Sequence, residues 1–289
     1  MMMNISKKDK NYQEAIEANI AVHSAMVEKY NFVEPHFRPE SVARVEHIIQ
    51  SIVAQHKVRK VVDLGCGTGF MINILKKYVE EIIGVDITQP MLDKVEKTGT
   101  AKISLINEDT GSVQLENNYY DMATAYSFLD HLYDMSPTFL NTYRFLRQGG
   151  IFYADLSPNA YFWDQIKQLD STKTYDPIIL REIKAINQKS QEIEQQFGIE
   201  KGLFVKAEFQ KHIKGGLREE DIKQQLLDVG FQKVDFLYHW YLGQAQLIND
   251  NSIDKNQRLE YASIMSDYLI KGLPITRHVF KYVGFIAIK

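Results

Sequence analysis

The stretch VVDLGCGTGF, residues 61–70, puts glycines at 65, 67 and 69 directly behind a β-branched run, with Asp63 in front of them. Glycine admits positive φ and lacks the Cβ that would hold a ligand off the main chain, so this turn suits close approach. A second acid, Asp86, ends the next apolar run, EEIIGVDI. A carboxylate there can accept hydrogen bonds from both hydroxyls of a ribose; its plainer role would be to cap the following helix, for which Thr88 is another candidate. A dinucleotide fingerprint needs glycine or alanine where Phe70 stands, and a P-loop needs lysine after Gly69; both phosphate readings weaken. Cys66 lies inside the turn with no base close in sequence, so it does not read as a nucleophile.

The elements around these residues alternate. VRKVVDL (58–64), EEIIGVDI (80–87), AKISLIN (101–107), YDMATAYS (120–127) and GGIFYADLS (149–157) are short β-rich runs, several of them separated by helical patterns. In FMINILKKYVE the apolar side chains Met71, Ile74, Leu75 and Tyr78 have the spacing of one buried helix face. Such alternation predicts an α/β fold with a parallel sheet covered on both sides. The glycine turn then falls at the carboxyl edge of the sheet, where open α/β sheets bind ligands, and the helix start beyond it should offer free N–H groups.

The chain resembles the class I, seven-stranded S-adenosylmethionine-dependent methyltransferases over roughly residues 58–157 and again in its C-terminal quarter. VVDLGCGTGF is similar to the family's first motif, which implies that main chain from Gly65 through Cys66 and Gly67 to Gly69 passes the methionine part and that Asp63 orients it. GVDITQPML matches the second, implying Asp86 on the ribose diol, with Ile87 and Met91 against the adenine. NEDTGSVQL resembles the segment after strand three, implying that Asp109 accepts from the adenine amino group and that Thr110 supplies a backbone N–H, although Asp-Thr-Gly is also good turn chemistry. YDMATAYSFLDHL resembles the fourth motif, implying that Tyr126 and Ser127 flank the transferred methyl with His131 nearby. LREEDIKQQLLDVGFQKVDFLYHW and HVFKYVGFIAIK look like the last helix and last two strands. The resemblance implies a doubly wound, mostly parallel sheet of order 3-2-1-4-5-7-6 with an antiparallel last strand, and S-adenosylmethionine as cofactor.

Methyl transfer from an activated sulfonium is mainly a matter of position, with a base required when the acceptor must lose a proton. His131 is the first candidate base and His212 the second. Asp130, His131 and Asp134 cluster as DHLYD, but on a helix they read as a solvated face, and no metal is expected. Residues 1–57 read as a helical leader and 58–289 as the methyltransferase domain, with helical insertions at about 158–202 and 241–277. In the leader, PHFRP should be a stiff, non-helical elbow. It presents Arg38, a partner for the cofactor's carboxylate or a substrate acid, and Tyr30, His36 and Phe37 as substrate contacts; Trp163 opens the first insertion.

Composition bounds the partners. Among 289 residues, 34 basic and 37 acidic side chains leave a net charge of -3, so no global attraction to nucleic acid or anionic membrane is expected. A single cysteine fits a reducing, cytoplasmic setting. These readings converge on methyl transfer to N, O or C of a small molecule, with the insertions serving as lid or homodimer contact. A protein or RNA acceptor, or a non-catalytic S-adenosylmethionine-binding module, are the alternatives.

Overall fold

The computed structural model describes residues 10–170 and 172–289. Among these, the β-rich runs become β1 (Lys60–Leu64), β2 (Glu81–Asp86), β3 (Lys102–Asn107), β4 (Tyr120–Tyr126), β5 (Leu146–Pro158), β6 (Lys233–Tyr241) and β7 (Phe280–Ile288). They form one sheet of order 3-2-1-4-5-7-6, parallel through β5, with β7 antiparallel to both neighbours. Adjacent side chains of a strand face opposite sides, so Val61, Met122 and Ile151 enter one core while Val62, Ala123 and Phe152 enter the other.

The leader does two different jobs. Helices α1 (Lys10–Met26) and α2 (Tyr30–Val33) lie over the carboxyl edge, whereas α3 (Pro39–His56) sends Val45, Ile49 and Ile52 into the sheet's own core. The elbow between them is a turn of 3-10 helix, Pro35–Phe37, because proline is tolerated at a first helical position. Helix α4 (Phe70–Leu75) shares the α3 side and stops short of the length that its apolar spacing predicts; the chain closes through tight turns from Lys76 to Val79. After α5 (Gln89–Leu92), α6 (Ser136–Phe145) covers the opposite face.

The first insertion holds α7 (Ala160–Lys167), α8 (Pro177–Phe197), α9 (Leu203–Ala207) and α10 (Phe209–His212). Phe204 and Ala207 of α9 pack on Ala18, Val22 and Met26 of α1, so leader and insertion make one cap with its own small core. Helix α11 (Glu219–Val229) joins α6 through Ile222 and Leu226, and α12 (Gln244–Ile248) and α13 (Lys255–Lys271) precede β7.

One buried charge cluster fixes the carboxyl ends of three strands. Asp155 of β5, fully buried, accepts from Tyr153 Oη (2.7 Å), Arg44 Nη1 (3.2 Å) and its neighbour's amide at Leu156 (2.6 Å). His239 of β6 reaches the same carboxylate at 3.2 Å. Burial alone would push this acid up, but His239 and Arg44 outweigh it and hold the carboxyl well below the usual range. The reach from β6 to β5 crosses β7 at Gly284, where a Cβ would stand 2.7 Å from both the Ala154 carbonyl oxygen and Asp155 Oδ1. Ser127, Leu156 and Trp240, at the ends of these strands, all take positive φ, a conformation that costs non-glycine residues on the order of 1 kcal/mol or more each. Gly284→Ala should therefore lower the unfolding free energy by about 1–3 kcal/mol, the usual cost of overpacking, which urea melts of parent and variant will measure.

Candidate active site

The glycine turn leaves β1 and runs beneath the end of β2. The amides of Gly65 and Cys66 both donate to the Val85 carbonyl (2.8 and 3.1 Å), and that of Gly69 to the Cys66 carbonyl (2.8 Å). Asp86 takes two more: Oδ2 accepts from Gly67 N and Oδ1 from Thr88 N, each at 2.8 Å. The expectation of free N–H groups is thus corrected for these four loop amides, which turn inward. Phosphate recognition at such a turn depends on amides that point at the ligand, and here they are spent on protein. Gly65, at φ 65°, lies flat under Phe128; a Cβ would sit 2.0 Å from that ring.

Beside this bare main chain lies a cavity of about 840 Å³ of empty space, open to solvent in part. Gly65, Gly67, Asp86, Ile87, Met91, Asp109, Thr110, Ser127 and His131 line it, together with Tyr30 of the leader. Asp63, Cys66 and Gly69 stand behind the turn. Asp63 is buried, its Oδ1 accepts from Thr124 Oγ1 (2.7 Å), and its Oδ2 has no partner. Burial pushes this acid up to about 7. Burial also pushes the Cys66 thiol well above its ordinary value, so it carries no thiolate.

Six other expected contacts lie elsewhere. Tyr126 shares a strand face with Thr124 and Met122 and turns away from the cavity to stack on Phe70 (4.7 Å) and bond Arg44. His36 and Phe37 join that aromatic group, with His36 4.7 Å from Phe37 and 5.7 Å from Tyr126. Arg38 is exposed at the start of α3 and faces a separate groove with Trp240, Lys255 and Arg258; the helix start at Pro39 carries it outward. Trp163 is half-buried on α7 with Lys211 over its ring (5.9 Å). His212 faces the insertion, where Nε2 meets Glu208 Oε2 at 2.9 Å, and does not line the cavity. Asp130 corrects the solvated-face reading of DHLYD: the segment is a 3-10 turn, Leu129–His131, and Asp130 is only 6% exposed. Among the described residues no group of three His, Cys, Asp or Glu side chains could hold a metal ion.

The sequence reading missed the wall contributed by α1. Tyr12, Ala15, Ile16, Asn19 and His23 face the cavity. Their recurrence at helical spacing was the available signal, weak because it mixes small, polar and aromatic types. Tyr12 Oη donates to Asp109 Oδ2, and Asn19 Nδ2 donates to the His131 carbonyl (3.2 Å). From the insertion, Gln210 Nε2 donates to the carbonyls of Leu132 (2.7 Å) and Tyr133 (3.1 Å). The loop after β4 is therefore clamped from both sides by the cap.

Residues 62–154 match the family model described as a methyltransferase domain. The chain is similar to a ubiquinone biosynthesis O-methyltransferase of Yersinia enterocolitica, 24% identical over 162 residues, which cover 53% of this chain and 66% of that protein. A sterol 24-C-methyltransferase of Aspergillus fumigatus is 25% identical over 130 residues, 42% of this chain and 34% of that one. The chain thus spans between 34% and 66% of the length of these two relatives. Among solved structures, an S-adenosylmethionine-dependent methyltransferase from Archaeoglobus fulgidus superimposes with a TM-score of 0.50 at 18% identity, covering 86% of this chain and 95% of that one. A Haemonchus contortus phosphoethanolamine N-methyltransferase 2 in complex with S-adenosylhomocysteine gives 0.54 at 14%, covering 96% and 60%. Residues 62–154 thus carry a methyltransferase domain, and the chain shares the fold of these methyltransferase structures.

The family's cofactor fits the residues present. The cavity beside the turn is partly open to solvent and mixes polar with apolar walls. It combines a carboxylate at the end of β2, the apolar Met91 and Ile87, and a main chain without side chains on the ligand's path. The unpartnered Oδ2 of Asp63 is a reserve of negative charge behind the turn. An acid whose pKa is raised on folding favours the folded state below its ordinary value, near 4, and loses that advantage as pH climbs toward 7. Asp63→Asn should accordingly gain stability relative to the parent between pH 5 and pH 8, read from urea melts at the two values. Gly67 and Gly65 separate ligand approach from packing: a Cβ at Gly67 meets nothing nearer than Met91 Cε at 3.8 Å, while one at Gly65 strikes Phe128. Calorimetry with S-adenosylhomocysteine should find Gly67→Ala folded with at least tenfold weaker binding, and Gly65→Ala impaired in both binding and melting temperature.

Proposed function

We propose that this chain transfers the methyl group of S-adenosylmethionine to a nitrogen, oxygen or carbon of a small-molecule acceptor. One observation carries the reading: the cap formed by α1, α9 and α10 covers the carboxyl edge and ties down the loop after β4, leaving a partly roofed cavity rather than an open groove. A folded protein or an RNA strand would need that edge exposed.

In this reading Asp86 holds the ribose, Ile87 and Met91 flank the adenine, and Asp109 with Thr110 meets its edge. The bound sulfonium supplies a methyl that is already activated. The protein's part is to hold the acceptor in line and to keep water out. Asp109 also accepts from Tyr12 Oη, which ties α1 to the same wall. His131 is the candidate base. Its Nδ1 lies 3.1 Å from the Ala207 carbonyl, which can only accept, so Nδ1 carries the hydrogen and Nε2 keeps the lone pair. His23, stacked edge-on at 4.9 Å, is pushed down to about 4 by burial and stays neutral beside it.

A cytoplasmic setting belongs to the same proposal, supported by the single cysteine. A homodimer through the insertions is supported by Tyr261, Ile264, Met265 and Tyr268, exposed along α13. No helix among the described residues is long and apolar enough to cross a membrane.

The test is release of S-adenosylhomocysteine from S-adenosylmethionine in the presence of small amines, phenols and carboxylic acids, with the methylated product identified by mass. Asp86→Ala is expected to weaken cofactor binding tenfold or more and to cut kcat/KM accordingly; unchanged turnover in that variant would remove the ribose assignment.

A further inference from the structure

The groove that Arg38 faces is walled by the first turn of α3, the end of β6 and the stretch from α12 into α13. It shares no lining residue with the cofactor cavity, so a ligand in one leaves the other free. Three cationic side chains line it, Arg38, Lys255 and Arg258, against one acid, Glu40.

The protein does little to neutralise those cations. Among the described residues the Arg38 side chain has no hydrogen bond, ion pair or ring contact. Lys255 Nζ lies 3.8 Å from Glu40 Oε1, beyond hydrogen-bond reach, and both side chains are exposed, so the pair is loose. Arg258 Nη1 donates to the Asp250 carbonyl oxygen (2.7 Å) and to Asn251 Oδ1 (3.0 Å), two neutral acceptors that orient the guanidinium and leave its charge in place. Two more acids stand in the adjoining turn. Asp250 spends Oδ1 on the amide and hydroxyl of Ser252, and Asp254 spends its own on the amides of Asn256 and Gln257. Ser252 and, more weakly, Arg258 favour the Asp250 carboxylate, yet neither acid comes within 4 Å of a groove cation. The start of α3, which no side chain caps, adds the positive end of an 18-residue helix to the same groove.

One wall is an indole. Trp240 takes φ 59°, a backbone conformation that glycine adopts more cheaply, and its half-buried ring belongs to none of the three apolar cores. Among the described residues no ring or cation stacks on it. Ile248 and Leu259 continue the apolar lining. An unstacked indole and unpaired guanidinium groups in one groove suit a ligand with a flat body and a negative head, since arginine grips carboxylate or phosphate through paired N–H groups while the indole covers the body.

We propose that this groove binds a planar anion, a carboxylate or phosphate carried on an aromatic ring, with the charged group between Arg38 and Arg258 and the ring on Trp240. The site stands independently of the methyltransferase reading.

The chain has two tryptophans, at 163 and 240, so Trp163→Phe leaves Trp240 as the sole indole and its fluorescence as a direct report on the groove. Benzoate and phenyl phosphate are titrated into that full-length variant at constant ionic strength, beside benzamide, the uncharged counterpart of benzoate. At least one anion should quench Trp240 saturably and bind tenfold or more tightly than benzamide, the scale of one charge-assisted hydrogen bond; the anion that leads identifies the head group as carboxylate or phosphate. Calorimetry on the unsubstituted chain should give the same order. Arg38→Gln should weaken the leading anion tenfold or more with an unchanged melting temperature, because the side chain it removes touches nothing else. Arg258→Gln should weaken the same anion and also lower the melting temperature, since the Asp250–Asn251 turn loses its donor. No saturable quenching by either anion, an anion held no more tightly than benzamide, or an affinity that Arg38→Gln leaves unchanged overturns the site.

Discussion

The carboxylate of Asp86 is the constraint on which the site is built. Its two oxygens take the amides of Gly67 and Thr88, so the loops after β1 and β2 are held at one fixed separation. With the Gly65, Cys66 and Gly69 amides bonded to carbonyls, the turn presents carbon and little else to the cavity. Each carboxylate oxygen has more than one lone pair, which leaves Asp86 capacity for a ligand while it organises the protein. One residue thus fastens two loops while its carboxylate keeps acceptor capacity on the cavity wall.

Charge elsewhere in the edge follows two opposite policies. Around Asp155 every acid has its counterpart: Arg44, His239 and Tyr153 converge on one carboxylate, and the strained backbone at Ser127, Leu156 and Trp240 is held by that convergence. Toward the ligand side, Asp63 and Asp130 are buried, each with one carboxylate oxygen unpartnered. Local rules are broken where function needs an incomplete set of partners and obeyed where stability must offset it.

Much of this was legible in the chain because it is local. The β-branched runs, the glycine turn and the acid at the end of β2 each declare themselves within ten residues, and the sheet order followed once the resemblance was made. What the sequence could not display depends on contacts between residues 97 to 195 positions apart. Arg44 meets His239, Asn19 meets His131, and Tyr12 meets Asp109 through folding alone. The orientation of Tyr126 was in fact available from strand parity, since it shares a face with Thr124, whose hydroxyl bonds Asp63. Arg38 was misread because its place beside the leader's aromatics suggested a common destination, while a helix starting at Pro39 sends it outward.

The cap joins α1 to α9, the first described helix to one that follows after most of the sheet has been made. Chains are synthesised from the amino end and tend to fold as they emerge. Here α1 meets α9 only after β1 to β5 have left the ribosome, so Ala18, Val22 and Met26 lack the cover of Phe204 and Ala207 until then. The roof of the cavity is consequently begun before the sheet and finished after most of it, so a nascent chain has a formed floor before its cover is complete.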